Sequence, residues 1–229
     1  MTKYLFCLGL MMSANMALAG SESEPFSKIS AEWKKLSAEW WQWALSIPTS
    51  ENPQLDSTGE KCMIGQRGSV WFLAGVFGGG EATRTCSVPE GKELFFPIAN
   101  SVNFNTPNVC GQGSESIPVE DLRAFSAAFI DGITEVSVEL DGKSTGNVRR
   151  VLSKVFEVAL PGDNVFDPLC SPDFDVPAGI FSPAVDDGYY VKLKHLEIGA
   201  HTLHLRAETA TGVVQDVTYN LTVVPVSKE

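Results

Sequence analysis

Basic side chains are scarce in this chain: 17 lysines and arginines stand against 28 aspartates and glutamates in 229 residues, a formal net charge of −11. Nucleic acids and anionic lipid surfaces both need a cationic footprint, so the balance argues against either as a partner. Histidine is scarcer still, at three residues. His201 and His204 lie three apart on a predicted strand, which turns their side chains to opposite faces and denies them a shared metal without a bulge. The five cysteines include no C-x2-C pair of the kind that usually marks a zinc site. A P-loop, a G-x-G-x-x-G turn and an H-E-x-x-H helix are all missing, so the commonest phosphate, dinucleotide and zinc-hydrolase signatures find no match.

Long apolar runs are confined to the start of the chain. Lys3, an apolar stretch at residues 4–12 and the small-x-small sequence Ala17-Leu18-Ala19 together read as a secretory signal peptide over residues 1–19. The stretch is too short for a membrane span, which takes about 20 apolar residues. The expected destination is the periplasm or the outside of the cell. Cys7 lies before most of the apolar stretch rather than at the cleavage point, so it does not read as a lipid-attachment cysteine. Cleavage removes Lys3 alone among the charged residues, leaving 16 basic against 28 acidic groups from Gly20 onward, a net charge of −12.

Four cysteines then remain, Cys62, Cys86, Cys110 and Cys170, an even number bound for an oxidising compartment, and two disulfides are expected. Three pairings are possible. Cys62 with Cys86 and Cys110 with Cys170 is favoured, because the first two flank one sheet segment and the second two sit in loops rich in Pro, Asn and Gly.

Residues 20–50 form a Trp-rich helical segment and 51–229 a second region dominated by strands. Trp33, Leu36, Trp40, Trp43, Ala44 and Ile47 keep helical spacing up to Pro48, which predicts an amphipathic helix of about five turns. Trp41 falls beside that stripe and is the tryptophan expected to be exposed. Strands are predicted at residues 70–77 and 82–88, joined as a hairpin by Gly78-Gly79-Gly80, and at 93–98, 135–140, 151–160, 189–193, 201–207 and 214–224. One helix interrupts them between Pro118 and Gly132. Strands without regular helix alternation predict a mostly β fold, an antiparallel sandwich of immunoglobulin-like or jelly-roll type.

Between Lys154 and Lys192 the chain has no basic residue but carries Glu157, Asp163, Asp167, Asp173, Asp175, Asp186 and Asp187. Carboxylates on loops are hard oxygen ligands, which makes Asp173, Asp175, Asp186 and Asp187 candidate calcium ligands; no other cofactor is expected. The same groups could act as acid and base in glycoside cleavage. Trp41, Trp71, Tyr189 and Tyr190 are the candidate ligand-binding aromatics. Asn220-Leu221-Thr222 matches a glycosylation acceptor but falls inside a predicted strand.

The segments Trp40-Trp41-Gln42-Trp43-Ala44-Leu45-Ser46-Ile47-Pro48, Gly65-Gln66-Arg67-Gly68-Ser69-Val70-Trp71-Phe72-Leu73-Ala74-Gly75, Leu94-Phe95-Phe96-Pro97-Ile98 and Asp187-Gly188-Tyr189-Tyr190-Val191 resemble a family of exported bacterial proteins of unassigned function. That resemblance implies bacterial export and no particular chemistry. The ending, residues 199–205 and 217–223, is similar to the closing hairpin of immunoglobulin-like bacterial sandwich domains, an analogy of fold alone. Two functional expectations follow. The first is a disulfide-braced binding or structural module of the cell envelope or exterior, engaging a glycan or another envelope protein; the second is a secreted polysaccharide hydrolase or lyase working through loop carboxylates.

Overall fold

The computed structural model describes residues 30–170 and 176–226; the expected signal peptide lies outside them. In chain order the elements are α1 (Ala31–Leu45), β1 (Val70–Phe72), β2 (Gly80–Pro89), β3 (Glu93–Phe104), α2 (Val119–Ile130), β4 (Ile133–Leu140), β5 (Lys143–Ser144), β6 (Val148–Leu152), β7 (Phe156–Leu160), α3 (Asp167–Cys170), β8 (Gly179–Leu193), β9 (Gly199–Thr209) and β10 (Gly212–Val224). Sheet I has the order β1-β3-β8-β6, with β7 pairing the other end of β8; sheet II has the order β2-β10-β9-β4-β5. The result is a mostly β, sandwich-like fold. Two pairings, β1 with β3 and β2 with β10, are parallel, so both sheets are mixed rather than antiparallel throughout.

The two sheets differ in how they meet water, and the sequence carries the difference. Strands β2, β9 and β10 alternate, with Ala82, Cys86 and Val88, Leu203, Leu205 and Ala207, and Val217, Tyr219, Leu221 and Val223 turned inward. Alternation of this kind marks a sheet with one wet face. In β3, by contrast, residues 94–99 are buried without a break, as are residues 184–188 of β8. Sheet I is therefore covered on both faces, by sheet II and α2 on one and by α1 on the other.

Helix α1 covers its face with tryptophan. Trp40, Trp41 and Trp43 are all buried, and at about 200 Å² and 25 cal/mol/Å² each they contribute roughly 15 kcal/mol before ordering entropy. Their indole N–H groups are aimed at three different parts of the chain. Trp40 donates to the Leu73 carbonyl at 2.9 Å, Trp43 to the Ile64 carbonyl at 2.9 Å and Trp41 to Asp186 Oδ1 at 2.7 Å. Trp41 is thus 4% exposed and not the exposed tryptophan expected from the single stripe. The reason is that a second surface, the middle of β8, meets the helix beside the stripe.

Two strand expectations are also corrected. Residues 70–77 and 82–88 do not form a hairpin; β1 joins sheet I and β2 joins sheet II, with Gly78-Gly79 in the crossing segment and Gly80 opening β2. The run 151–160 is divided between β6 and β7 at Ser153, whose hydroxyl takes up the Asp186 amide at 2.8 Å in place of a regular ladder. The inserted helix and the closing β9–β10 hairpin stand where the sequence puts them. Both disulfides join the favoured partners, Cys62 with Cys86 and Cys110 with Cys170.

Glycine is required at one central position. A Cβ on Gly188 would lie 2.6 Å from Asn100 Cβ and 2.8 Å from the Ala99 carbonyl oxygen, so β3 and β8 close up only because it is absent. On the inner face of sheet II, Arg84 is buried and satisfied without a carboxylate. Its guanidinium donates to the carbonyls of Asp56 at 2.6 Å, Ala74 at 2.6 Å and Gly75 at 3.1 Å, and to the Tyr219 hydroxyl at 2.7 Å. One side chain thereby fixes the loop after α1, the crossing segment and β10. Arg84→Met leaves these acceptors dry and unpaired and should cost about 3–5 kcal/mol in urea unfolding; a loss under about 1 kcal/mol would show that the loops hold without it.

Candidate functional site

Tight packing of α1 on β8 encloses a polar cluster. Asp186 Oδ1 accepts from Trp41 and, at 2.9 Å, from the Tyr190 hydroxyl, which in turn accepts from Asn100 Nδ2 at 3.0 Å. Asp186 Oδ2 has no partner among the described residues. Burial pushes the Asp186 carboxyl well above the usual carboxylate range, the donors Trp41 and Tyr190 only partly oppose it, and the Asp187 charge adds to it. Burial, and then the neighbouring Asp186, push the Tyr190 hydroxyl up as well. The fold therefore holds the Asp186 proton to higher pH than the unfolded chain does.

Asp187, the next residue, faces the other way. It receives Arg150 in a fork, Nε to Oδ1 at 3.0 Å and Nη2 to Oδ2 at 2.6 Å, while Arg150 Nη1 reaches Asp131 at the end of α2 at 2.7 Å. Hydrogen bonding to Asp187 raises the Arg150 pKa against its partial burial. Neighbouring residues on a strand point to opposite faces, so Asp186 and Asp187 cannot hold one calcium together. Asp173 and Asp175 lie outside the described residues. Among the described residues no three His, Cys, Asp or Glu side chains gather as a metal site. The other acidic residues expected to act together are spread out. Asp163 accepts from the Ser50 amide, and Asp167 accepts from the amides of Asn164 and Val176, so both brace loops.

On one side of this cluster lies a cleft of about 530 Å³. Trp41, Phe77 and Phe166 stand on one side of it and Phe129 and Val213 on the other, and Gln54, Asn100 and Gln215 bring neutral amides. Among the described residues no charged side chain lines it. Of the four aromatics expected to bind a ligand, Trp41 is in its wall. Trp71 is buried between the sheets, Tyr189 packs against the same inter-sheet core, and Tyr190 stacks on Phe95 at 5.2 Å. Phe77, Phe129 and Phe166 do not stand out in the sequence as ligand-binding residues. They come from a link, a helix and a loop far apart in the chain, and no local spacing marks them as neighbours.

The back of the cleft is main chain. Strand β1 pairs β3 only at residues 93–95, and the edge beyond has no strand partner among the described residues. The Asn105 amide donates to the Pro183 carbonyl of β8 at 3.1 Å. Because antiparallel ladders alternate, Ser101 and Asn103 also bond β8, and the N–H and C=O groups of Asn100, Val102 and Phe104 point the other way. Ile98, set by the bulge after Pro97, points outward too, and its carbonyl accepts from Gln215 Nε2 at 2.5 Å. Gln215 Oε1 takes the Val76 amide at 2.8 Å, so this one amide closes the near end of the cleft.

A second groove, of about 700 Å³, runs beside α1 and carries Glu32, Glu39 and Glu93 with Trp43 and Phe72. Its carboxylates are engaged: Glu39 with Lys35 at 2.6 Å, and Glu32 and Glu93 with Lys192 at 2.6 and 3.0 Å. His201 pairs with Asp141 at 2.8 Å and His204 with Asp216 at 2.7 Å, apart from both clefts. Gly142-Lys143-Ser144-Thr145-Gly146 matches the G-x-S-x-G pattern of hydrolases. It lies at the β4–β5 turn on a sheet edge and leads to no helix, so the strand–turn–helix elbow that activates such a serine is not formed.

The acid cluster has a measurable pH signature. Because the Asp186 pKa is raised well above the ordinary aspartate value of 3.8, the folded chain holds a proton that the unfolded chain releases. Its contribution is then complete below the unfolded value and is lost as pH rises toward the folded one, with each pH step in that window removing about 1.4 kcal/mol. Asp186→Asn should flatten the fall in stability that sets in as pH rises above the ordinary aspartate value and be at least as stable as the parent at the upper end of that fall. A variant less stable at every pH, with the slope unchanged, would mean that Asp186 is ionised in the fold.

In comparisons with known proteins, no protein-family model matches the chain and no curated protein matches it.

Proposed function

We propose that this chain is an exported bacterial binding module whose ligand lies in the cleft along the free edge of β3. The observation that carries this reading is the lining itself: four aromatic side chains, three neutral amides and, among the described residues, no charge over about 530 Å³. Such a surface suits a neutral ligand that offers both apolar faces and hydrogen-bonding groups. Export is supported by the signal-peptide pattern of residues 1–19, the two disulfides and the resemblance to an exported family. Among the described residues no helix is long and apolar enough to cross a membrane. A hydrolase working through loop carboxylates has less in its favour. It needs two carboxyl groups about 5–9 Å apart across a sugar, whereas Asp163 and Asp167 are spent on loop amides and Asp186 lines neither cleft.

The chain from Gly20 onward, screened by NMR against neutral hexasaccharides and end-blocked neutral peptides, should show shifts confined to residues 76–80, 98–102 and 213–215 with one of these classes. Phe129 is 44% exposed, so Phe129→Ala should fold normally and weaken that binding about tenfold. No response in these segments to either class would overturn the reading.

A further inference from the structure

We propose that the ligand of this cleft is a polypeptide, bound in extended form as an added strand of sheet I on the free edge of β3. The proposal rests on the cleft reading above and names its ligand class. A sugar would be met by side chains; what this cleft offers at its back is a ladder. The main-chain groups of Asn100, Val102 and Phe104 recur every second residue, about 7 Å apart, which is the repeat that another strand presents. None of them has a partner among the described residues.

The edge is also unguarded in a way that edges seldom are. Natural sheets block exposed edges with lysine, proline, a bulge or an inward charge. Here Pro97 and the bulge protect the part next to β1, but Ala99, Asn100, Ser101, Val102, Asn103 and Phe104 carry no charge at all. The groove continues along the strand as well. A smaller hollow of about 180 Å³ shares Val102 and Phe166 with the cleft and extends past Phe104 to Thr106 and Cys110. From Ile98 to Phe104 the track is about 20 Å long, room for some six or seven extended residues.

The walls state which side chains fit. An added strand turns alternate residues to opposite faces. One set meets Phe77 and Phe166, which touch edge to face at 5.6 Å, together with Trp41; the other meets Phe129 and Val213. Among the described residues both sets see apolar surface and neutral amides, which suits a partner segment that is uncharged and β-branched or aromatic at positions 1, 3 and 5, with small polar residues tolerated between. Gln215 marks the near end, since its side-chain amide already bonds the Ile98 carbonyl as a strand neighbour would.

The test uses the chain from Gly20 onward and heptapeptides selected from a random displayed library. Enriched peptides should share alternating apolar residues and bind the free chain as end-blocked synthetic peptides. N-methylation of the peptide backbone at alternate residues should weaken binding at least tenfold in one register and leave it unchanged in the other. Val102→Pro removes one outward N–H while sparing the β8 ladder, as edge prolines do, and should weaken binding about tenfold with little change in melting temperature. Should that variant fail to fold, the N-methylated series decides alone. Equal binding by all N-methylated forms, or no enrichment, overturns the strand proposal. If peptides fail while a neutral hexasaccharide still shifts residues 98–102, the cleft reading survives; if both fail, the cleft reading falls with it.

Discussion

Burial of sheet I on both faces is the constraint on which the rest of the structure depends. Leu94, Phe95, Phe96 and Ile98 follow one another almost without a polar residue, and a strand of that kind must find cover above and below. Sheet II meets Leu94, Phe96 and Ile98; α1 meets Phe95 and Tyr190. A helix serving as the third layer has to be apolar around much of its circumference, which is what three buried tryptophans supply. Their N–H groups then need acceptors in a dry interface, and one acceptor is a carboxyl group. The buried Asp186 carboxyl is a consequence of covering β8 with indole, not an independent feature.

The same constraint leaves the free edge. The chain departs from β1 after three residues, at Phe72, and crosses to sheet II, so β3 runs on with one side unpaired. Trp41 links the two features. Its indole N–H enters the acid cluster while its ring contributes to the cleft wall, and Asn100 likewise gives its side chain to Tyr190 and its main chain to the edge. The disulfide between Cys110 and Cys170 ties the loop after β3 to α3 beside the far hollow, and Cys62 with Cys86 ties the loop before β1 to sheet II.

How much of this could be read in advance depends on the range of the interaction. The α1 stripe, the inserted helix and the closing β9–β10 hairpin rest on spacing within short stretches and are legible; the cysteine partners are favoured only from the loops and sheet segment around them, and the structure joins those pairs. Parallel pairing is not local: nothing in Gly78-Gly79-Gly80 distinguishes a hairpin from a link between sheets, and β2 finds its partner at the far end of the chain. Trp41 was misplaced because periodicity reports one buried stripe and cannot show a second surface. Asp186 and Asp187 are candidate calcium ligands in the sequence because they are grouped there with loop carboxylates. Their position just before Gly188-Tyr189-Tyr190-Val191, in a run otherwise apolar, was the signal that they belong to a buried strand. The quoted motifs fall chiefly on α1, β1, β3 and β8, the elements that build the two-sided sheet, and of these residues Trp41 and Ile98 also reach the cleft.

Amide hydrogen exchange along β3 in the free chain tests the open edge most directly, since it reads each N–H separately. The account requires alternation: Ser101 and Asn103, bonded to β8, exchange slowly, while Asn100 and Val102 exchange orders of magnitude faster. Equal, strong protection at all four positions would mean that the edge is already filled, and would contradict it.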